Sequence, residues 1–218
     1  MNARIVPLLL LAGTLSGCVD TLFESQPADN VASCDRHFEG RWRVLPADSK
    51  NQDDELFLIV DPQCKHWHFL EDGKEDEKLA RTTHIAFASV AGKALLTVKV
   101  DPDAKDAGAA DARWRDGYYY FRYEFADKSI HLRGVDDHRV AHLIIDGDIQ
   151  GRTERVSREP ADRRGGSSSE LHNFVAGKPD EMARVVQLDG VFGAADAYVL
   201  KPATRAEISR SAKKPAKP

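Results

Sequence analysis

The sequence predicts a mainly β domain with a few short helices, which is an α+β fold. Short segments that alternate apolar and polar residues recur through the middle of the chain, and turn-forming residues separate them. A few other segments have helical spacing or helix-capping residues instead. We therefore expect an antiparallel β-meander that closes into a small barrel-like sheet, with the helices at its side.

The first predicted strand is the segment HFEGRWRV at residues 37–44, where Phe38, Gly40, Trp42 and Val44 share one face. Further predicted strands follow at residues 55–60, 65–70, 82–90, 94–100, 117–125 and 129–133. Glycine or polar residues typical of tight turns stand between them, around Gly73 and at residues 91–93 and 126–128.

Helices are predicted in the second half of the chain. Asp136 or Asp137 caps the first, which runs to about residue 145 and buries Val140, Ala141, Ile144 and Ile145. Ser167 and Glu170 match a capping box at the start of the second. A third short helix is predicted to start at Pro179, since proline suits a first helical turn.

The predicted strand at residues 117–125 has aromatic side chains on both faces. Aromatic bulk on both faces requires cover on both, one from the core and the other from the helices or a ligand cavity. Helix cover is the favoured alternative. Should a cavity exist, the candidates for its wall are Trp42, Trp67, Tyr118, Tyr120 and Arg122.

Composition divides the chain into a leader, a tether, one domain and a tail. The domain covers residues 34–200, with flexible loops at about 101–117 and 157–169. The polar residues 18–33 are predicted to be the tether, and the basic residues 201–218 a disordered tail. The formal net charge is −4, so there is no basic excess of the kind that nucleic-acid binding requires.

Cys18 follows an apolar run, residues 5–15, and the small residues Ser16 and Gly17. The run is about half as long as a membrane-spanning helix, so residues 1–17 are predicted to be a secretory signal peptide. The segment Leu15-Ser16-Gly17-Cys18 resembles the lipobox of bacterial lipoproteins. This resemblance implies cleavage after Gly17 and acyl chains such as palmitate on Cys18, a durable membrane anchor. The alternative is an ordinary thiol behind a plain signal peptide.

The resemblance to lipoproteins also implies a location. Aspartate directly after the lipidated cysteine favours the inner membrane in lipoprotein sorting, whereas Val19 stands there in this chain. We therefore expect anchoring in the outer membrane, with the domain facing the periplasm. Asp20, one residue later, keeps the inner membrane as an alternative.

Cys34 and Cys64 are the remaining cysteines once Cys18 is acylated. In an oxidising compartment, an isolated pair of cysteines is more typical of a disulfide than of a metal or catalytic site. The sequence therefore predicts a Cys34–Cys64 disulfide, and two separate buried thiols are the alternative.

Gly40-Arg41-Trp42 resembles the Gly-x-Trp signature of lipocalins and related calycin barrels. The resemblance implies that Trp42 closes one end of a barrel and that Arg122 or Arg152 stacks on it by a cation–π contact. Residues 117–151 and 167–177 together resemble uncharacterised bacterial envelope lipoproteins. That second resemblance implies no activity.

The sequence points to no catalytic residue, metal or cofactor. His138 and His142 lie one helical turn apart, but Arg139 stands where zinc hydrolases need a glutamate. His66 and His68 share one strand face, but they need a third ligand. We therefore expect a noncatalytic module that binds a small apolar ligand or an envelope protein. The alternatives are a structural or assembly accessory protein and, less favoured, an envelope hydrolase.

Overall fold

The computed structural model describes residues 19–27, 31–46, 56–64, 66–71, 74–75, 84–99, 117–158 and 168–211. The described strands are β1 Val19–Phe23, β2 Gly40–Pro46, β3 Leu56–Val60, β4 Trp67–Glu71, β5 Lys74–Glu75, β6 His84–Val90, β7 Lys93–Lys99, β8 Tyr118–Ala126, β9 Ser129–Arg133, β10 Gly151–Arg158, β11 Ser168–Val175 and β12 Tyr198–Pro202. The described α-helices are α1 Asp137–Ile145, α2 Pro179–Val185 and α3 Arg205–Ser211.

These strands form one mixed sheet, so the predicted mainly β, α+β fold is confirmed. The strand order is β10-β11-β1-β8-β9-β12-β2-β3-β4-β5, and the β6–β7 hairpin joins through the β7–β8 pair. The predicted barrel is wrong, because the sheet is not closed. The sheet branches at β8, whose first half pairs with β7 and β1 and whose second half pairs with β9.

The predicted strands of the middle region are confirmed, with ends shifted by a few residues. Two of the turns between them are confirmed as well, in the β6–β7 and β8–β9 hairpins. Ala91 and Gly92 have φ of 50° and 76°, and Asp127 and Lys128 have φ of 50° and 61°. Positive φ at both central residues is the geometry of a type I′ turn, which suits the twist of two-residue hairpins.

The ends of the chain differ from the sequence predictions. Residues 19–23, expected in the tether, form β1 in the interior of the sheet. The helix expected after Ser167 and Glu170 is wrong, because residues 168–175 form β11. β11 pairs with β10 on one side and with β1 on the other, and this pairing outweighs the local capping signal.

The basic carboxy-terminal segment is partly folded. Lys201 and Pro202 complete β12, and α3 follows three residues later. Residues 212–218 lie outside the described residues, as do the leader, Cys18, residues 101–116 of the first expected loop and residues 159–167 of the second.

Helix α1 begins and ends as predicted, but its buried side includes Leu143, which was not predicted, and excludes Ile145, while Ile144 is only partly buried. The Asp136 carboxylate accepts a hydrogen bond from the Arg139 backbone amide at 2.9 Å and caps the helix. Val140, Ala141 and Leu143 are buried. The predicted burial of Ile145 is wrong, because its side chain is 70% exposed at the end of the helix. The third predicted helix is confirmed as α2, with Pro179 in its first turn.

Two hydrophobic cores lie on opposite faces of the β6–β7–β8 unit. Neighbours along these strands alternate between the two cores, since Leu96 and Tyr123 belong to one core and Leu95 and Tyr120 to the other.

 Leu95 and Leu96, which are neighbours on β7, therefore point into different cores. The tryptophan core lies against β2, β3, β4, β9 and β12, and its members include Phe38, Trp42, Trp67, Phe87 and Tyr123. The helix core lies under α1 and α2, and includes Phe23, Tyr120, Val140, Leu143, Val175, Met182 and Val186.

A buried polar network ties β1, β10, β11 and α1 together. The fully buried side-chain amide of Asn173 donates to the Thr21 hydroxyl at 3.0 Å and to the Asp137 carbonyl at 2.8 Å. Its side-chain oxygen accepts a hydrogen bond from the Thr153 hydroxyl at 2.9 Å. Since buried polar groups are costly when unpaired, this network fixes the position of β1 against α1.

The predicted disulfide is confirmed. Cys34 and Cys64 are joined at an S–S distance of 2.04 Å, and 30 residues separate them in the sequence. The bridge joins the residue two positions before the turn at Arg36–Phe38 to the end of the turn at Pro62–Cys64, and both cysteines pack against the tryptophan core.

We expect replacement of both bridge cysteines, Cys34→Ser with Cys64→Ser, to lower the free energy of unfolding by about 3 kcal/mol. The reason is that the bridge closes a loop and so restricts the unfolded chain. Urea unfolding of the parent and the variant, each with and without reductant, measures the effect. Reductant should destabilise only the parent. An equal response of both proteins to reductant would contradict this prediction.

Candidate functional site

The residues predicted to line a cavity do not share one site. Trp42 and Trp67 belong to the tryptophan core, and Tyr120 belongs to the helix core, where Tyr118 packs beside it. Arg122 is partly exposed, and its guanidinium lies 2.7 Å from the Glu124 carboxylate. The two cores lie on opposite faces of β8, so Trp42 and Tyr120 cannot form one wall.

Neither Arg122 nor Arg152 makes the stacking contact with Trp42 that the resemblance to calycin barrels implies. The Trp42 indole nitrogen donates to the Phe38 carbonyl at 2.7 Å. Through the register of β2, β12, β9 and β8, Trp42 and Arg122 lie on opposite faces of the sheet. The Arg152 guanidinium lies over the Phe174 ring, 4.8 Å from its centroid.

The most distinctive group of functional side chains surrounds the disulfide. We call it the disulfide corner, and its members are Cys34, Asp35, His37, Cys64, Tyr123 and Phe125. The sequence positions it locally, because the Asp35 carboxylate caps the turn at Arg36–Phe38 by accepting from the His37 amide at 3.0 Å. Phe38 is the last residue of the turn and is fully buried. The distance between the ring centroids of Phe38 and Tyr123 is 5.2 Å.

Asp35 is the polar centre of the disulfide corner. One carboxylate oxygen lies 2.7 Å from His37 Nδ1, and the other accepts from the Tyr123 hydroxyl at 2.7 Å. Partial burial raises the pKa of Asp35, but the hydrogen bonds from His37 and Tyr123 outweigh it, so this pKa lies below its ordinary value. Burial and the Asp35 carboxylate raise the pKa of Tyr123. The corner therefore holds an ionised carboxylate between an imidazole and a phenol.

The outer side of the disulfide corner is an exposed aromatic patch, formed by His37 and Phe125. The two ring centroids are 4.5 Å apart, and the Phe125 side chain is 43% exposed although it also contacts Phe38. The His37 side chain is 71% exposed, although its Nδ1 atom contacts the Asp35 carboxylate. An apolar ring beside a positioned imidazole offers both burial and hydrogen bonding to a partner.

Two further histidines make similar contacts with aspartates. His66 Nδ1 lies 2.8 Å from Asp61, and His131 Nδ1 lies 2.7 Å from Asp196. His66 and His68 share a face as predicted, with ring centroids 6.0 Å apart. Within the described ranges, no group of three or more histidine, cysteine, aspartate or glutamate side chains is arranged to hold a metal ion. His138 and His142 are both exposed on α1.

A second polar cluster lies where β1 meets the start of α1. The Asp137 carboxyl is largely buried, and burial together with the nearby Asp20 and Asp136 carboxylates raises its pKa to about 7, against an ordinary 3.8. A hydrogen bond from the Thr21 side chain opposes this shift without cancelling it. Burial and the same Asp20 and Asp137 carboxylates raise the pKa of Tyr119.

Sequence reasoning missed Asp35 and His37 as site residues, and it named Asp137 only as a helix cap or a third metal ligand. A usable signal existed for the first two, since Asp35-x-His37 directly follows a cysteine that was predicted to be bridged. No such signal existed for Asp137, because its environment depends on β1, which the sequence predicted to be a tether.

Comparisons with known protein families, with curated proteins and with solved structures found no significant match to this chain. Among the described residues, no helix has the length and apolar character needed to cross a bilayer.

Replacement of Asp137 by asparagine should flatten the pH dependence of stability. The native pKa lies above the unfolded value, so the native state holds the proton more tightly, and stability falls as pH rises from about 4 to about 7. In the parent, this residue should cost about 2–3 kcal/mol between about pH 5 and about pH 8, a loss that Asp137→Asn removes.

Urea unfolding across that pH range measures the difference. Asp146→Asn, which changes an exposed carboxyl at the other end of α1, is the matched control. Parallel stability curves for the parent and Asp137→Asn would show that burial does not raise this pKa.

Proposed function

We propose that this chain is a lipid-anchored, periplasm-facing envelope protein that binds another protein through its outer surface and carries out no chemistry of its own. The outer membrane is the proposed location. The signal-like residues 1–17 and the lipobox resemblance at Cys18 support the anchor. The separation of Trp42 and Tyr120 into two cores supports surface binding over a ligand cavity.

The single observation that carries the binding proposal is the exposed aromatic patch. Phe125 is one of three large apolar side chains that are exposed in the described part of the chain, and the other two are Ile145 and Leu188. Phe125 packs on His37 and Tyr123, and the Asp35 carboxylate, which directly follows the bridged Cys34, holds both of them by hydrogen bonds. A rigid, half-buried ring beside an imidazole is typical of the anchoring residues of protein interfaces.

A small apolar ligand is the alternative that remains in the binding class. A structural or assembly role is a second alternative and would use the same patch. Native mass spectrometry of the detergent-extracted protein distinguishes them, because it shows whether a small molecule or another chain travels with the protein.

Site-specific photocrosslinking in the envelope tests the protein-binding proposal. We expect a photoreactive phenylalanine analogue at Phe125 to give a discrete adduct with another protein. The same analogue at Ile145, which is more exposed and ends the helix that covers the helix core, is the control and should give none. Absence of an adduct at Phe125, together with a bound small molecule in the native mass, would replace protein binding with ligand binding.

Cys18→Ala tests the anchor independently. Without the thiol there is no site for diacylglycerol, so palmitate labelling should disappear and the leader should stay attached. Cys34→Ala is the matched control, which removes a cysteine without touching the lipobox and should keep the label. Label that persists in Cys18→Ala would refute the lipoprotein assignment.

A further inference from the structure

The carboxy-terminal residues bring cations together on the outer face of the sheet. Lys201 on β12 pairs with Arg43 on β2, and paired residues of antiparallel strands share a face. Arg41 lies two residues before Arg43 and so projects from the same face. The Ala203 amide donates to the Arg41 carbonyl at 2.8 Å, which continues the pairing towards α3. The opposite face carries Trp42 and belongs to the tryptophan core.

Helix α3 adds two more cations. Arg205 and Arg210 are exposed, as are Arg41 and Lys201, and Arg43 is partly exposed. We call these five residues the cationic ridge. The one acid of α3, Glu207, accepts hydrogen bonds from the Thr204 amide and hydroxyl at 2.6 and 2.7 Å. Those bonds lower the pKa of Glu207, and the nearby Arg210 and Arg43 lower it further.

The ridge has a charge opposite to that of the whole chain. Its five cations and one acid give it a formal excess of four positive charges, although the chain has a net charge of −4. The seven residues that follow α3, AKKPAKP, contain three lysines and no acid. Such a concentration of positive charge, followed in the sequence by three more lysines, attracts an extended anionic surface.

We propose that the cationic ridge docks on the anionic head groups of a phospholipid bilayer. The exposed large apolar side chains of the described residues, Phe125, Ile145 and Leu188, all lie outside the ridge. A protein partner would call for an apolar anchor at the centre of the contact, whereas a lipid surface requires positive charge alone. The docking surface is separate from the aromatic patch and does not depend on acylation.

Vesicle binding tests the proposal on the full chain carrying Cys18→Ser, which cannot be acylated. Binding to phosphatidylcholine vesicles measures the contribution of the apolar leader. The increase on adding phosphatidylglycerol measures the contribution of charge. We expect Arg41→Glu with Lys201→Glu to reduce that increase by about 25-fold or more, since each cation near an anionic surface contributes about fivefold. High salt should have the same effect on the parent.

Arg155→Glu with Arg184→Glu is the matched control, because both cations are exposed, lie outside the ridge and change the net charge equally. This control should keep the phosphatidylglycerol-dependent binding. Arg205→Glu with Arg210→Glu probes the ridge a second time from α3, in case the strand variant fails to fold. The proposal is overturned if the control and ridge variants lose binding equally, or if phosphatidylglycerol has no effect. Ridge-dependent binding to polyglutamate without binding to the vesicles would assign the ridge to an acidic protein instead.

Discussion

The need to cover both faces of β8 determines most of this structure. Tyr120 and Tyr123 point to opposite sides of one strand, and each is almost completely buried. A single sheet cannot bury aromatic rings on both faces, so a second layer must lie on each side. The curved sheet from β9 to β4 encloses one face, while α1 and α2 cover the other together with Phe23 of β1, which stacks on Tyr120 at 4.0 Å.

Because both faces of β8 are covered, the surfaces left for binding lie elsewhere on the molecule. The large aromatic rings lie in two separate cores, so they do not line the wall of one shared cavity. The exterior of the tryptophan core retains the polar and charged positions of its strands, such as Arg43 and Lys201. Phe125 lies at the margin of the same core, where the strand leaves the covered region. Recognition is therefore expected at edges and outer faces of the sheet.

The central strands and α1 could be predicted from the sequence because their signals are local. Alternation identified β2 and β8, and the cap at Asp136 identified the start of α1. The disulfide followed from the number of cysteines and the expected compartment. The open sheet could not be predicted in this way, because strand order depends on pairing between distant segments. β1 and β11 were missed for the same reason, since their polar residues, including Thr21 and Asn173, become buried only when they meet.

The parallel pairing of β1 with β11 has a consequence for how the chain acquires its structure. The hydrogen bond between Asn173 and Thr21 joins residues 152 positions apart. During synthesis, β1 therefore stays without this neighbour until residue 173 has emerged. Contacts of such long sequence separation slow folding, because a large loop must close before they form. Under the export proposed above, this delay keeps β1 unpaired while the chain threads through a translocation channel.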